Sequence, residues 1–281
     1  LVWAFGDMRG RGFMMGATAG RTTLNGEGLQ HEDGQSLVLA STVPNVAAYD
    51  PAFAYELAVI VRDGIRRMYG PSPEDRFYYL TLYNENYLMP ALPPGGGVEE
   101  GVVRGLYRFA PAPDGARRRA TILFSGTAYG AAEEARRLLA EDWDVGAELW
   151  SVTSYKSLRE DALSAERWNR LHPGQPARTP YVTGALAAAE GPVLAVTDFM
   201  KMVPDQVARW VPAHFVALGT DGFGRSDTRA ALRRHFETDA AHVVVGVLQG
   251  LAATGEGKAE DVADAITRYG IDPEAPDPRS A

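Results

Sequence analysis

Ala120-Thr121-Ile122-Leu123-Phe124 and Val145-Gly146-Ala147-Glu148-Leu149-Trp150-Ser151-Val152 are two apolar strand patterns separated by a helical one over residues 129–140. Alanine and leucine fall on one face of that helical pattern. The alternation continues outward, with strands predicted at 193–197 and 215–218. Helices are predicted at 203–210, 228–236, 241–253 and 259–269, followed by a polar tail over 272–281. Strands separated by helical patterns of this length imply an α/β sheet with helices on its faces.

Upstream the pattern is less regular. Residues 1–20 mix Trp3, Phe5, Phe13, Met14 and Met15 with small residues and read as a buried helix followed by a turn. A short strand is predicted at 43–48. Phe53, Leu57, Val61 and Ile65 recur four apart, a helix over 53–68 closed by Gly70-Pro71. Phe77-Tyr78-Tyr79-Leu80-Thr81-Leu82-Tyr83 reads as a buried strand. Two loops follow, one holding Pro90, Pro93, Pro94 and Gly95-Gly96-Gly97, the other at 110–115, with a short crossing strand at 105–109 between them. The expected boundary divides the chain into domains 1–115 and 116–281. Arg117-Arg118-Arg119 reads as a solvated linker.

The chain has 281 residues and a formal charge of −8, an acidic balance that argues against a general nucleic-acid binder. It has no cysteine, which excludes disulfides and thiolate metal sites. No apolar run reaches the roughly 18 residues of a membrane-spanning helix. The first residues lack the features of a signal peptide. They also lack an initiator Met and open inside an apolar pattern, which reads as a cut through a structured region. The expectation is a cytoplasmic fragment or subunit with no membrane partner.

The segment richest in chemistry is Gly20-Arg21-Thr22-Thr23-Leu24-Asn25-Gly26-Glu27-Gly28-Leu29-Gln30-His31-Glu32-Asp33-Gly34. Its glycines permit close backbone approach to a ligand. Its histidine is the side chain best suited to exchange a proton near neutral pH. Glu27 and His31 are four apart and converge either on one helix face or across a glycine-bearing loop. A carboxylate beside an imidazole favours the imidazolium and helps it act as an acid. The alternative is a hydrogen-bonded histidine stabilising a complicated loop. Asn84-Glu85-Asn86-Tyr87 ends an apolar strand, where α/β sheets gather ligands, although a simple turn accounts for it equally. Thr220-Asp221-Gly222-Phe223-Gly224-Arg225-Ser226-Asp227 lies between a strand and a helix and lacks the lysine and spacing of phosphate loops. His172, in a Pro-rich irregular segment, and His214, His235 and His242 read as structural or solvent-facing, and no metal site is expected in this chain.

These motifs, with Tyr49-Asp50-Pro51-Ala52, Ser151-Val152-Thr153-Ser154 and Glu166-Arg167-Trp168-Asn169-Arg170-Leu171-His172-Pro173, carry a resemblance across essentially the whole chain. It resembles the C-terminal part of the homodimeric, thiamine-diphosphate-dependent, acetyl-transferring pyruvate dehydrogenase component of bacterial complexes, in the transketolase-like superfamily. The resemblance implies the later half of a pyrimidine-binding domain followed by a transketolase-type C-terminal domain with a mixed, mostly parallel sheet. It places the magnesium ligands and a substrate-contacting loop histidine in an N-terminal domain outside this chain. The glutamate that protonates the aminopyrimidine is also placed outside it, and the cofactor-contacting residues within the chain stay unassigned.

In the resembled family the position of His31 faces substrate on the thiamine ring, and the position of Glu27 lies beside it. Transketolases have an aspartate four residues before the corresponding histidine. Gln35 stands where the family often has a second histidine. The implied activity is decarboxylation of pyruvate and reductive acetylation of lipoyl groups on a dihydrolipoyl acetyltransferase, with this isolated portion inactive. The implied assembly is a homodimer with the N-terminal portion. The alternatives are the C-terminal subunit of a split thiamine-dependent enzyme acting on another 2-keto acid, or a non-catalytic dimerisation module.

Overall fold

A computed structural model describes residues 1–94 and 96–281. The strands are β1 (Phe13–Ala17), β2 (Val46–Tyr49), β3 (Phe77–Leu82), β4 (Tyr107–Ala110), β5 (Arg118–Phe124), β6 (Val145–Ser151), β7 (Val193–Val196) and β8 (Phe215–Leu218). The first three form a parallel sheet in the order β1-β3-β2. The remaining five form a second sheet in the order β4-β6-β5-β7-β8, parallel except for β4 against β6. The α/β class and the mixed, mostly parallel sheet are thus as expected. β4 completes the edge of the second sheet although it precedes residue 115.

The helices are α1 (Val2–Asp7), α2 (Ser36–Ser41), α3 (Ala54–Tyr69), α4 (Val98–Arg104), α5 (Tyr129–Trp143), α6 (Tyr155–Leu171), α7 (Tyr181–Ala185), α8 (Met202–Asp205), α9 (Arg229–His235), α10 (Ala240–Thr254) and α11 (Ala259–Arg268). Every side chain of β7 is buried, as expected of a parallel strand covered on both faces. α10 is apolar on most of its circumference because it lies between α5, α11 and the β7–β8 edge. None of the described helices is long and apolar enough to cross a membrane.

The two sheets are joined by an aromatic cluster. The Phe53 ring, just before α3, lies 5.2 Å from Phe109 of β4, 6.0 Å from Phe124 of β5 and 4.8 Å from Tyr129 of α5, centroid to centroid. Glu56 of α3 reinforces this joint from a fully buried position. Its carboxylate accepts hydrogen bonds from the Ala52 and Phe53 amides, the Tyr107 hydroxyl and the Ser151 hydroxyl, at 2.6, 3.1, 2.6 and 2.6 Å. Burial pushes its pKa up, and these four donors oppose that shift.

Four stretches differ from expectation. The buried helix expected within residues 1–20 is instead the short α1, with Trp3 60% exposed, followed by strand β1. The apolar residues 13–15 pair in parallel with β3. The 90–105 segment contains α4, bounded by Gly97 and Gly105 in left-handed conformations. Arg118 and Arg119 open β5 instead of forming a linker, and Arg118 is paired with Asp261 at 2.7 Å. α6 occupies a polar stretch with only a narrow buried stripe, capped by the Ser154 hydroxyl accepting from the Ser157 amide. His172 follows α6 directly and stacks on Trp168 at 3.6 Å.

Candidate active site

Residues 20–34 form an irregular loop between β1 and α2, so Glu27 and His31 do not share a helix face. The loop closes on itself through a bridge between Gly20 and Asp33. The Asp33 carboxylate accepts from the amides of Gln35 and Ser36 at 3.1 and 2.9 Å, fixing the start of α2. The side-chain carbonyl of Gln35 accepts from Arg21 at 3.2 Å and from the Gly34 amide at 3.1 Å. Gln35 therefore has a structural task of its own at the position where the resembled family often carries an imidazole.

The loop interlocks with the motif after β8. The Gly224 amide donates to the Leu29 carbonyl at 3.0 Å, and the Gly26 amide to the Asp227 carbonyl at 3.1 Å. Ser226 Oγ donates to the Gly26 carbonyl at 2.9 Å. Arg229 donates its amide to Asn25 Oδ1 at 3.0 Å and its Nε to the Thr23 carbonyl at 2.8 Å. The buried Glu32 carboxylate accepts from the Arg225 amide at 2.8 Å. Burial raises the Glu32 pKa, with the Arg225 amide and the Arg21 charge pulling against it. Two glycine-bearing stretches nearly 200 residues apart thus hold one another by their backbones.

The carboxyl ends of other strands meet the same loop. After β7, the buried Asp198 carboxylate accepts from the Thr22 amide and hydroxyl. Its pKa is pushed up to about 7 by burial, against the opposing Thr22 hydrogen bonds. After β2, the buried Asp50 accepts from Thr81 Oγ1 at 2.6 Å and from the Tyr83 hydroxyl, and burial raises its pKa as well. After β3, the Asn84 carbonyl accepts from Arg229 at 2.8 Å, and Glu85 is gripped by Arg233. This convergence is the usual location of ligands in open α/β sheets.

Glu27 and His31 are both exposed on this pinned loop. No hydrogen bond or ion pair joins them among the described residues, and the His31 amide donates to the Gly28 carbonyl at 3.0 Å. Beside them, Leu29 and Phe223 are 63% and 77% exposed. Leu29 has a φ of +37°, an uncommon conformation for a branched side chain, held by its backbone pairing to Gly224. No group of three or more His, Asp or Glu side chains able to hold a metal ion occurs among the described residues.

Sequence reasoning did not single out Asp198, Arg229 or Arg233. Asp198 carried a signal, since a carboxylate two residues after the apolar run 193–196 must sit at the end of a buried strand. Arg229 and Arg233 carried none that separates them from a solvated helix face. Of the other histidines, His242 lies in the first turn of α10, where its amide donates to the capping Asp239 carboxylate at 3.0 Å and its ring Nδ1 meets the same oxygen at 2.7 Å.

The transketolase fold is shared with solved structures. A transketolase mutant from Pichia stipitis superposes with a TM-score of 0.61 at 16% identity, covering 87% of this chain and 31% of that one. Transketolase from Leishmania mexicana gives 0.57 at 17%, covering 87% and 30%. The two sheets thus share the fold of transketolases. The family model for the pyruvate dehydrogenase E1 component middle domain matches residues 1–90, and that for the transketolase-like C-terminal domain matches residues 105–239.

The pyruvate dehydrogenase E1 component of Mycolicibacterium smegmatis is 55% identical over 271 residues, 96% of this chain. That of Escherichia coli K12 is 49% identical over 282 aligned residues, 100% of this chain. The chain belongs to the pyruvate dehydrogenase E1 family. It spans 29% and 31% of the length of these two relatives.

Proposed function

We propose that this chain is part of a pyruvate dehydrogenase that decarboxylates pyruvate on thiamine diphosphate and reductively acetylates lipoyl groups of a dihydrolipoyl acetyltransferase. The observation that carries the reading is the exposed His31, presented on the same loop as the exposed Glu27, a loop whose backbone is fixed at both ends. A group that must meet a substrate needs a fixed position and an open face. The loop fits one wall of a site completed by further polypeptide.

Thiamine diphosphate, when bound, supplies an electron sink for loss of carbon dioxide. His31 is assigned to binding the keto acid and exchanging a proton with it, and Glu27, four residues earlier on the same loop, to positioning His31 in the completed site. Division into a pyrimidine-binding portion, 1–115, and a C-terminal domain, 116–281, belongs to the same proposal. So do magnesium ligands outside this chain, a homodimer and a cytoplasmic location.

The test uses the complete polypeptide encoded by the reading frame that carries this chain. With thiamine diphosphate, magnesium and pyruvate it should release carbon dioxide and acetylate a lipoylated acyltransferase domain, whereas the 281-residue portion should do neither. Turnover by the portion alone would contradict the division of labour. No pyruvate turnover by the complete polypeptide would contradict the function.

A further inference from the structure

We propose that Asp198 is a positioning residue for the reaction: through Thr22 it fixes the loop that carries Glu27 and His31. Its carboxylate accepts from the Thr22 amide at 3.2 Å and from the Thr22 hydroxyl at 2.7 Å. Its backbone carbonyl accepts from the Arg21 amide at 3.2 Å and from the Thr220 hydroxyl at 3.0 Å. Two residues further on, the Met200 amide donates to the Gly34 carbonyl at 2.9 Å. The segment from Asp198 to Met200 therefore holds both the entry and the exit of the loop, and Thr220 ties the same point to the motif after β8.

Asp198 is suited to this task because its own position is fixed. It follows the buried strand β7 and is itself buried. Arg233 Nε donates to Thr22 Oγ1 at 3.2 Å, so the Thr22 hydroxyl passes its own proton toward Asp198. The titratable and charged groups around this point are Arg21 and Asp33 of the loop, Asp50, Tyr83 and Glu85 at the strand ends, Arg233 of α9 and Asp221 after β8. Only Thr22 hydrogen-bonds the Asp198 carboxylate among the described residues, so loss of that carboxylate acts on the loop first. A buried group displaced by an ångström at the root of a catalytic loop is enough to lower turnover about 100-fold.

The catalytic readout rests on the function proposed above, and hydrogen exchange supplies a readout that does not. In the complete polypeptide, Asp198→Ala should raise amide exchange within residues 20–34 about tenfold and lower kcat for pyruvate at least tenfold. Asp198→Asn should restore most of both, because the amide oxygen accepts from the Thr22 amide and the amide nitrogen donates to the Thr22 hydroxyl. Thr22→Val, which removes the hydroxyl alone, should raise loop exchange and decides the matter if Asp198→Ala fails to fold. Unchanged loop exchange in Thr22→Val, or an Asn variant as impaired as the Ala variant, would overturn the proposal. Loop exchange that responds as expected in a polypeptide inactive on pyruvate would uphold the positioning role and overturn the function.

Discussion

Arg233 of α9 grips the Glu85 carboxylate with both terminal guanidinium nitrogens, one of the two bonds measuring 3.1 Å. Both side chains are largely shielded, at 24% and 18% exposure. A two-pronged pair of this kind fixes orientation as well as distance. It joins the helix after β8 to the end of β3, and the same guanidinium reaches Thr22 in the loop between β1 and α2.

Arg233→Ala should lower the first thermal transition of the complete polypeptide by the equivalent of about 2–3 kcal/mol, because a shielded carboxylate is left without its partner. Arg233→Lys should recover only part, since a point charge cannot reproduce the fork. Equal transitions for wild type and Arg233→Ala would show that the pair does not hold the two segments together.

Glu56 offers a sharper contrast. Glu56→Ala orphans two amides and two hydroxyls at once and should cost on the order of 3–5 kcal/mol. Glu56→Gln should cost about 1 kcal/mol, because the Tyr107 and Ser151 hydroxyls can rotate to accept from the new amide nitrogen. Denaturant midpoints of the two variants test the order, and a Gln variant as unstable as the Ala variant would count against it.

Gly20 and Gly26 both have positive φ, +85° and +77°. A Cβ at Gly20 would lie 2.2 Å from Asp198 Oδ2 and 2.8 Å from the Tyr83 ring, whereas one at Gly26 meets nothing within 4 Å. Gly26→Ala should therefore cost only the backbone strain, about 1 kcal/mol. Gly20→Ala should cost more and raise hydrogen exchange across residues 20–34. Similar losses for the two variants would mean that the fit against Asp198 is loose.

The buried carboxyls set a pH dependence with a definite sign. Asp198 is pushed up to about 7 and Asp50 is raised, in both cases chiefly by burial. In the unfolded chain such groups lose their protons near pH ~4. Between about pH 4 and 7 the folded chain holds the Asp198 proton while the unfolded chain has lost it. The stability this group contributes therefore falls as pH rises through that window and is level above it. Denaturant midpoints at pH 5 and pH 8 should show wild type losing stability relative to Asp198→Asn on going to the higher pH. A constant difference between the two proteins would refute the assignment.

Much of the fold was legible because buried parallel strands are apolar throughout. Val193–Val196 and residues 120–124 of β5 announced themselves in this way, and the helices between them showed a one-sided apolar stripe. α6 escaped because Leu158, Ala162 and Ala165 make too narrow a stripe among charged neighbours. β1 escaped because Met14 and Met15 fit a helix or a strand equally well, and pairing with β3 decides between them.

In the site, the density of glycine and polar residues at 20–34 located the loop. The sequence spacing of Glu27 and His31 said nothing of their contact, and the structure keeps them apart. The interlock with residues 224–229 is made largely by backbone groups, which leave no mark on residue type. Asp198 was marked only by its place after a buried apolar run, and Arg233 is recognisable only once distant strands have been brought side by side.

The most direct test of the proposed function is the rate of pyruvate decarboxylation by the complete polypeptide carrying His31→Ala, with thiamine diphosphate and magnesium supplied. His31 is exposed, and its side chain makes no hydrogen bond or ion pair among the described residues, so the variant should fold with an unchanged thermal transition. Its kcat/KM for pyruvate should fall about 100-fold or more, within the range for loss of a group that moves a proton in the transition state. A folded His31→Ala enzyme that turns over pyruvate at the wild-type rate would contradict the assignment of this loop to the active site.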